Sequence, residues 1–296
     1  MIGSPFLVGR DRYERAMEGW VDDSPEDTLA HTVVITDDDA SIEFGAVCST
    51  APSYEVRGAE GRILTGSVDP AIVERLERLK GARMVGGFGK LLAEVCGVGP
   101  GAGLFVDAAI EVARLARQVS KLPRESTSAF DPRDARRCWD LDVAGWTDLP
   151  NSCFTYSKAG RALLDERTVS VPMAPELYSP PPGARRIFLR RKRARLVLTG
   201  RRLHMFHSMH DNVHGFDVHY ELDLDAGTVM AADSITSRLP YPGICTEPQG
   251  RIATMIGQPA DVALRKRTQA LLGGESGCAQ LYDLTADLLK LVTFTG

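Results

Sequence analysis

The 296-residue sequence lacks several patterns that would assign it to a familiar class of protein. No run approaches the roughly 18 apolar residues that a membrane-spanning helix needs, so a membrane protein is not expected. The apolar run near the start is interrupted at Gly9-Arg10 and does not have the layout of a signal peptide, so we expect a cytoplasmic protein. Neither a P-loop nor a dinucleotide-binding glycine motif is present, which argues against a nucleotide cofactor.

Cysteine and net charge are also low. The six cysteines include no C-x-x-C pair, so neither a zinc knuckle nor a disulfide framework is predicted. The formal net charge is only -4, which makes nucleic acid and anionic membranes poor partners. Apolar residues make up 44% of the chain and charged residues 25%, as in typical globular proteins. The expected partner is a small-molecule substrate, and a homodimer is left open.

Segments of the first half resemble segments of the second half, which predicts an internal duplication. The first shared landmark is an aromatic residue followed by Gly-Trp-x-Asp, and the others are a pair of strands, a Gly-Arg-Ile triplet and a glycine turn before a helix. In chain order the pairs are 13–22 with 139–148, 31–48 with 217–235, 61–63 with 250–252, and 97–107 with 273–283.

These patterns predict an α+β fold. Strict alternation of apolar and polar residues favours antiparallel hairpins, and apolar residues at three-to-four-residue spacing favour amphipathic helices. We expect two copies of one antiparallel-sheet-plus-helices unit, packed about a pseudo-twofold axis. The predicted divisions are a degenerate first repeat at 1–122, a linker at 123–138, and a second repeat at 139–296 with an inserted β-ribbon at about 151–213.

Five of the six histidines lie within sixteen residues, and they form the main candidate for chemistry: His204, His207, His210, His214 and His219. Imidazole groups serve as general acids, general bases or metal ligands near neutral pH. Their spacing matches no standard metal motif, but a metal site from His207, His210 and His214 is one interpretation. The other interpretation is a set of solvated histidines on a β-ribbon.

Other residues have both a functional and a structural interpretation. Cys245 follows a Pro-Tyr-Pro-Gly turn and could be a nucleophile if a histidine lowers its pKa, or it could be buried and inert. The basic run at 185–202 could bind an acidic ligand or a partner, or its charges could point outward from a ribbon. The glycine turns at 97–103 and 273–277 could bind a phosphate or simply begin a helix.

The second half resembles an uncharacterised bacterial family of unknown function, DUF2889. The resemblance is carried by Gly145-Trp146-Thr147-Asp148, His214-Gly215-Phe216, the turn from Pro240-Tyr241 to Cys245, and Gly277-Cys278-Ala279-Gln280-Leu281. Ala279-Gln280 stands where the family has Thr-His, and the first half matches more weakly. Because members accompany genes for the catabolism of aromatic or ring compounds, the resemblance implies a small-molecule enzyme, without a mechanism.

We therefore predict an acid–base lyase, hydratase or isomerase that acts on a small, partly apolar carbonyl or hydroxyl compound without an organic cofactor. His210 and His214 would transfer protons, and His219 and Asp217 would orient them. Tyr241 and Cys245 would line the pocket, in the second repeat near its junction with the first. The alternatives are a non-catalytic protein that binds a ligand or a partner, and a metalloprotein that uses the histidine cluster.

Overall fold

A computed structural model describes residues 2–128 and 130–294 of the chain. Eight strands form one antiparallel sheet in the order β5-β4-β3-β2-β6-β7-β8-β9, and β1 pairs separately with β10. The strands are β1 Ile2–Gly3, β2 Arg12–Asp23, β3 Thr28–Asp37, β4 Ala40–Ser49, β5 Val56–Gly66, β6 Phe188–Thr199, β7 Arg202–Asp211, β8 Gly215–Asp223, β9 Thr228–Arg238 and β10 Thr293–Phe294. The predicted α+β class is confirmed, because the fold combines a large antiparallel sheet with several helices.

Helices cover one face of this sheet. They are α1 Ala71–Arg75, α2 Phe88–Cys96, α3 Ala102–Leu115, α4 Arg124–Thr127, α5 Ala135–Gly145, α6 Lys158–Glu166, α7 Leu264–Leu272 and α8 Ala279–Lys290. α3 packs on β2, β3 and β4, while α8 packs on β7 and β8. Buried and more exposed residues alternate along the strands because only this face is covered. Within the two described ranges, no helix has the length and apolar character to span a membrane.

Each half of the sheet consists of four consecutive strands, and helices follow the fourth strand of each half. Four consecutive strands, β2 to β5, precede α2 and α3, and four further strands, β6 to β9, precede α7 and α8. β7 begins at residue 202, which is 174 residues after β3 begins at residue 28. The halves meet where β2 pairs with β6, from Arg12 opposite Val197 to Val21 opposite Phe188. Each half has its own apolar core between strands and helices.

The predicted hairpins and final helices are present, but three of the four predicted correspondences are wrong. The Gly-Arg-Ile triplet at 61–63 lies in β5, whereas the triplet at 250–252 lies in a 3-10 turn, Gln249–Met255. Trp20 lies in β2, whereas Trp146 directly follows α5, so the two tryptophans occupy different kinds of element. The segment 31–48 forms β3 and β4, the second and third strands of its half. The segment 217–235 forms β8 and β9, the third and fourth strands. The pairing of the helices α3 and α8 agrees with this order of elements.

The segment that joins the two halves is structured. The predicted linker at 123–138 contains α4 and the beginning of α5. The predicted inserted ribbon at 151–213 ends in β6 and β7, and β6 lies at the centre of the sheet beside β2. The stretch between α3 and β6 instead carries α4, α5 and α6, which lie outside both four-stranded units.

Candidate active site

A cavity opens between the end of α3 and the beginning of α8, where the two halves of the molecule meet. Its empty space, including the open mouth, is about 790 Å³. The apolar part of the wall includes Trp146, Leu149, Met173, Phe216 and Leu239, and the polar part includes Arg117, Gln118, Thr155, His214 and Gln280.

His214 enters this cavity from the turn between β7 and β8. Asp211, the last residue of β7, holds the turn because its Oδ1 accepts from the backbone N–H of Val213 at 2.8 Å and of His214 at 2.6 Å. The same carboxylate lies 3.2 and 3.3 Å from Nδ1 of His214. The backbone and the side chain of His214 are therefore fixed by one aspartate.

The charge state of Asp211 determines the tautomer of His214. Burial alone would raise the pKa of Asp211, but His214, Arg190 and hydrogen bonds hold it well below its usual range. An ionised carboxylate only accepts hydrogen bonds, so Nδ1 of a neutral His214 must carry the proton. Nε2 then has a free electron pair, and no other group of the described chain lies within hydrogen-bond distance of it. This arrangement is suited to a general base.

Buried charges extend from Asp211 to the two long helices. Arg190, which is fully buried on β6, donates from Nε to Asp211 at 2.8 Å and from Nη1 to Glu111 on α3 at 3.1 Å. Glu111 also contacts Lys192 on β6 and Arg114 on α3. The aspartate that orients His214 is thus part of an ion network at the centre of the molecule.

A second buried carboxylate, Asp142 on α5, lies beside the cavity. It accepts a hydrogen bond from the hydroxyl of Tyr178 at 2.6 Å, from that of Tyr156 at 2.8 Å, and from that of Tyr241. Burial raises the pKa of Asp142 to about 6, although the three hydroxyls, and His214 when it is protonated, act in the opposite direction. Tyr156 lines the cavity, so it connects this carboxylate with the space where a ligand would bind.

Three cysteines also line the cavity, namely Cys153, Cys245 and Cys278. The thiol of Cys245 lies 2.9 Å from the hydroxyl of Thr155. Burial raises the pKa of Cys245 strongly and that of Cys278 to about 11. Both side chains are therefore thiols near neutral pH, and among the described residues no histidine lowers the pKa of Cys245. Cys245 contributes to the wall of the cavity without the activation that a nucleophile requires.

The structure separates the other predicted histidines from this cavity. His210 and His219 lie on the open face of the sheet, where they contact the exposed Asp217 and Asp233 at 3.4 Å. His207 points toward the helices and its Nδ1 lies 3.0 Å from the carbonyl of Leu284. The predicted constellation is therefore divided between two faces. His214 and Cys245 line the cavity, whereas Tyr241, which was predicted to line it, is completely buried and donates its hydroxyl to Asp142.

The predicted metal ligands do not converge. His207 and His210 are an odd number of residues apart on β7, so they point to opposite faces of the sheet. His214 lies in the following turn and faces the cavity. In residues 2–128 and 130–294, no three His, Cys, Asp or Glu side chains are arranged to hold one metal ion.

Sequence reasoning missed Asp142 and Tyr156. A signal for Asp142 exists, because it occupies the buried side of α5 at helical spacing with Cys138, Leu141 and Gly145. A carboxylate among apolar positions of an amphipathic helix indicates a specific partner or a function. No comparable pattern marks Tyr156, which lies in a short 3-10 turn, Phe154–Tyr156.

Comparison with known proteins agrees with the sequence resemblance in the second half of the chain. No curated protein and no solved structure matches the chain. The matching family segment includes Asp211, His214, Cys245 and α8, whereas Asp142 and Tyr156 precede it. The predicted resemblance is thus confirmed for part of the chain: residues 197–293 match the family described as "Protein of unknown function (DUF2889)".

Proposed function

We propose that this protein is an acid–base enzyme that acts on a small, partly apolar carbonyl or hydroxyl compound in the cavity between α3 and α8. His214 is the general base. The observation that carries the proposal is that Asp211 fixes Nδ1 of His214 while the imidazole lines an apolar cavity. A base oriented by a buried carboxylate is a recurrent arrangement for proton abstraction. A lyase, hydratase or isomerase uses this chemistry without a nucleotide cofactor.

We also propose that the two halves descend from one duplicated unit, of which only the second retains acid–base chemistry. Support comes from the turn that follows the second strand of each half. Asp37 is the last residue of β3, and its carboxylate accepts hydrogen bonds from the backbone N–H groups of Asp39 and Ala40. Asp211 is the last residue of β7, and its carboxylate accepts from the backbone N–H groups at the same two spacings, those of Val213 and His214. Ala40 therefore stands where the second half has His214, so the first half keeps the turn but has no imidazole there.

The helices provide independent support for the duplication. α3 carries Asp107, Glu111 and Arg114, and α8 carries the same order of charges at Asp283, Asp287 and Lys290, each 176 residues later. Arg114 contacts Asp287 at 2.7 Å, and Lys290 contacts Asp107 at 2.9 Å. The basic residue of each helix thus forms an ion pair with an acidic residue of the other helix, as two copies related by a twofold axis would do.

Hydrogen exchange at carbon tests the function without knowledge of the physiological substrate. The protein would be incubated in D₂O with a panel of small carbonyl compounds that have apolar substituents, and deuterium uptake next to the carbonyl group would be measured by mass spectrometry. Because general bases contribute roughly 100-fold to 10,000-fold, His214→Gln should lower the exchange rate by at least about 100-fold. His204→Gln is the matched control, since His204 lies on the opposite face of the sheet.

The outcomes separate the alternatives. Loss of exchange in His214→Gln but not in His204→Gln supports the assigned base. Equal exchange rates in wild type and His214→Gln would remove His214 from the mechanism. Binding of panel compounds without exchange in the wild type would favour a non-catalytic binding protein that uses the same cavity.

A further inference from the structure

The buried carboxylate of Asp142 has an unusual set of partners. Within the described chain, its side-chain hydrogen bonds all come from tyrosine hydroxyls, those of Tyr156, Tyr178 and Tyr241. The charged and titratable groups that also act on it are His214, from the turn between β7 and β8, and Cys138, on the same helix. A carboxylate in such a position lacks a directly bonded cation to compensate its charge.

Among these tyrosines, Tyr156 has a distinct position. Asp142, Tyr178 and Tyr241 are completely buried, with relative exposures of 0%. Tyr156 is only partly buried, and it lines the same cavity as His214. It comes from a different part of the wall, the 3-10 turn after α5. Tyr156 is thus the member of this cluster that lines the cavity.

The hydrogen bonds that Tyr156 can make depend on whether Asp142 carries a proton. When Asp142 is ionised, it accepts from all three hydroxyls, and Tyr156 can only accept a hydrogen bond from a ligand. When Asp142 is protonated, its own O–H needs an acceptor, and a tyrosine oxygen provides one. Tyr156 can then turn its proton away from the carboxyl group and toward the cavity. The protonation state of Asp142 therefore switches Tyr156 between acceptor and donor.

We propose that Tyr156 is the proton donor of this cavity, with Asp142 as the positioning residue that restores its proton, and that the reaction is the loss or addition of water. This inference rests on the proposed function. In the direction of elimination, His214 Nε2 takes the proton from carbon and the C–O bond on the neighbouring carbon breaks. The departing hydroxyl takes the proton of Tyr156 and leaves as water, while the proton of Asp142 passes to Tyr156. The reverse sequence adds water to the double bond.

The test compares two rates on one compound, a β-hydroxy carbonyl substrate with apolar substituents identified by the exchange panel. Deuterium uptake at the α-carbon requires only the base, whereas loss of water also requires the acid. Tyr156→Phe should therefore lower the rate of dehydration by roughly 100-fold or more, as expected for a general acid, and leave α-carbon exchange nearly unchanged. Tyr220→Phe is the matched control, because it removes another buried hydroxyl, which bonds to Thr285 in the second core.

The outcomes distinguish this inference from the function on which it rests. If Tyr156→Phe dehydrates at the wild-type rate, or loses exchange and dehydration equally, Tyr156 is not the acid, whatever the His214→Gln variant shows about the base. If His214→Gln retains full exchange, the proposed function itself fails. If both rates fall equally in Tyr220→Phe as well, the effect of a lost hydroxyl is general and the assignment to Tyr156 is overturned.

A measurement without substrate tests the same coupling. In protein labelled with ¹³C at the aspartate and tyrosine side chains, the Asp142 carboxyl resonance should titrate near pH 6, and the Tyr156 resonance should move with it. Tyr156→Phe removes a donor to the ionised carboxylate, so the pKa of Asp142 should rise, while Tyr220→Phe should leave it unchanged. An Asp142 resonance that titrates independently of Tyr156 would contradict the proposed relay.

Discussion

His31 and His207 are both buried on the face of the sheet that the helices cover. Burial lowers the pKa of each to about 4, so both side chains are neutral at pH 7. His31 lies on β3 between Val21 on β2 and Ala46 on β4. A neutral imidazole that cannot take up a proton in the folded state makes stability depend on pH.

His31→Met should remove part of this dependence. In the unfolded chain histidine titrates near pH 6.5, so between pH 6.5 and 4 the unfolded state binds a proton that folded His31 does not. The free energy of unfolding therefore falls as the pH falls, by about 2.5 kcal/mol for this residue between pH 7.5 and pH 4.5. Methionine occupies the corresponding second-strand position of the other half, at Met205. Urea unfolding of the variant and the wild type at both pH values measures the difference.

The variant and the wild type must be compared at each pH, because Asp142, unlike His31, makes the free energy of unfolding rise as the pH falls. Its pKa is raised to about 6, so the folded state retains a proton that the unfolded state loses as the pH rises from 4 to 6. His204→Gln, a change on the open face, should leave the wild-type dependence in place. The explanation for His31 is wrong if His31→Met and wild type lose the same free energy on acidification.

At the scale of elements, β6 shows how the charged strand at the centre of the sheet is accommodated. Arg191, Arg193 and Arg195 point to the open face, as one of the two sequence interpretations predicted. Arg190 and Lys192 point inward and are buried. Burial of two cations is tolerated because acidic residues of α3 and α8 reach them. The alternation could be predicted from the strand, but the acidic partners lie far away in the sequence.

Glu111 is the central acid of this network. Burial alone would raise its pKa, but Lys192, Arg114 and Arg190 hold it at about 2. Glu111→Gln keeps the shape and removes the charge, which leaves the buried cations of β6 with less compensation. We expect the free energy of unfolding to fall by about 3–5 kcal/mol, the usual cost of breaking a buried ion pair. Chemical denaturation at pH 7 measures this loss.

Glu94→Gln provides the matched substitution. Glu94 is exposed on α2, 4.0 Å from Lys90, and such surface pairs contribute about 0–1 kcal/mol. A loss of similar size in the two variants would mean that the network at the junction does not stabilise the fold. If only Glu111→Gln loses stability, the junction between the halves depends on these charges.

From the sequence, the candidate site could be predicted only for residues that lie close together in one segment of the chain. The density of histidines located the turn that contains His214, and the proline turn located Tyr241 and Cys245. The same pattern misplaced His210 and His219, because side chains on a strand alternate between faces and spacing alone does not show which face is covered. Asp142 was missed because its partners come from three separate segments that only the tertiary structure brings together.

The fold was predictable to a similar extent. Alternating residues predicted the hairpins, and the final helices followed from their apolar spacing. The predicted correspondences between the halves were partly wrong because short motifs recur in different kinds of element. Gly-Trp-x-Asp occurs in a strand and after a helix, and Gly-Arg-Ile occurs in a strand and in a 3-10 turn. The centre of the sheet, where β2 pairs with β6, joins residues more than 150 positions apart, and no local pattern indicates such a pairing.

At the scale of the whole molecule, the two halves share one continuous sheet. β2 and β6 pair over ten consecutive register positions, and the ion network links α3 to α8 across the same junction. Separating the halves would expose the edges of two long strands and leave buried charges without partners. The two apolar cores should therefore behave as one cooperative unit, although each is formed mainly by its own half.

Leu29 and Leu203 test this cooperativity because they occupy corresponding positions in the second strand of each half, and both are 1% exposed. Leu29→Ala and Leu203→Ala should each cost about 2–5 kcal/mol through lost burial and the cavity that remains. In each variant, hydrogen exchange should rise in both halves together, because opening one half breaks the β2–β6 pairing that holds the other. If Leu29→Ala accelerated exchange in β3 and β4 while β7 and β8 kept wild-type protection, the halves would be independent folding units. A common acceleration would instead place the cavity between them, and with it His214 and Tyr156, inside a single cooperative structure.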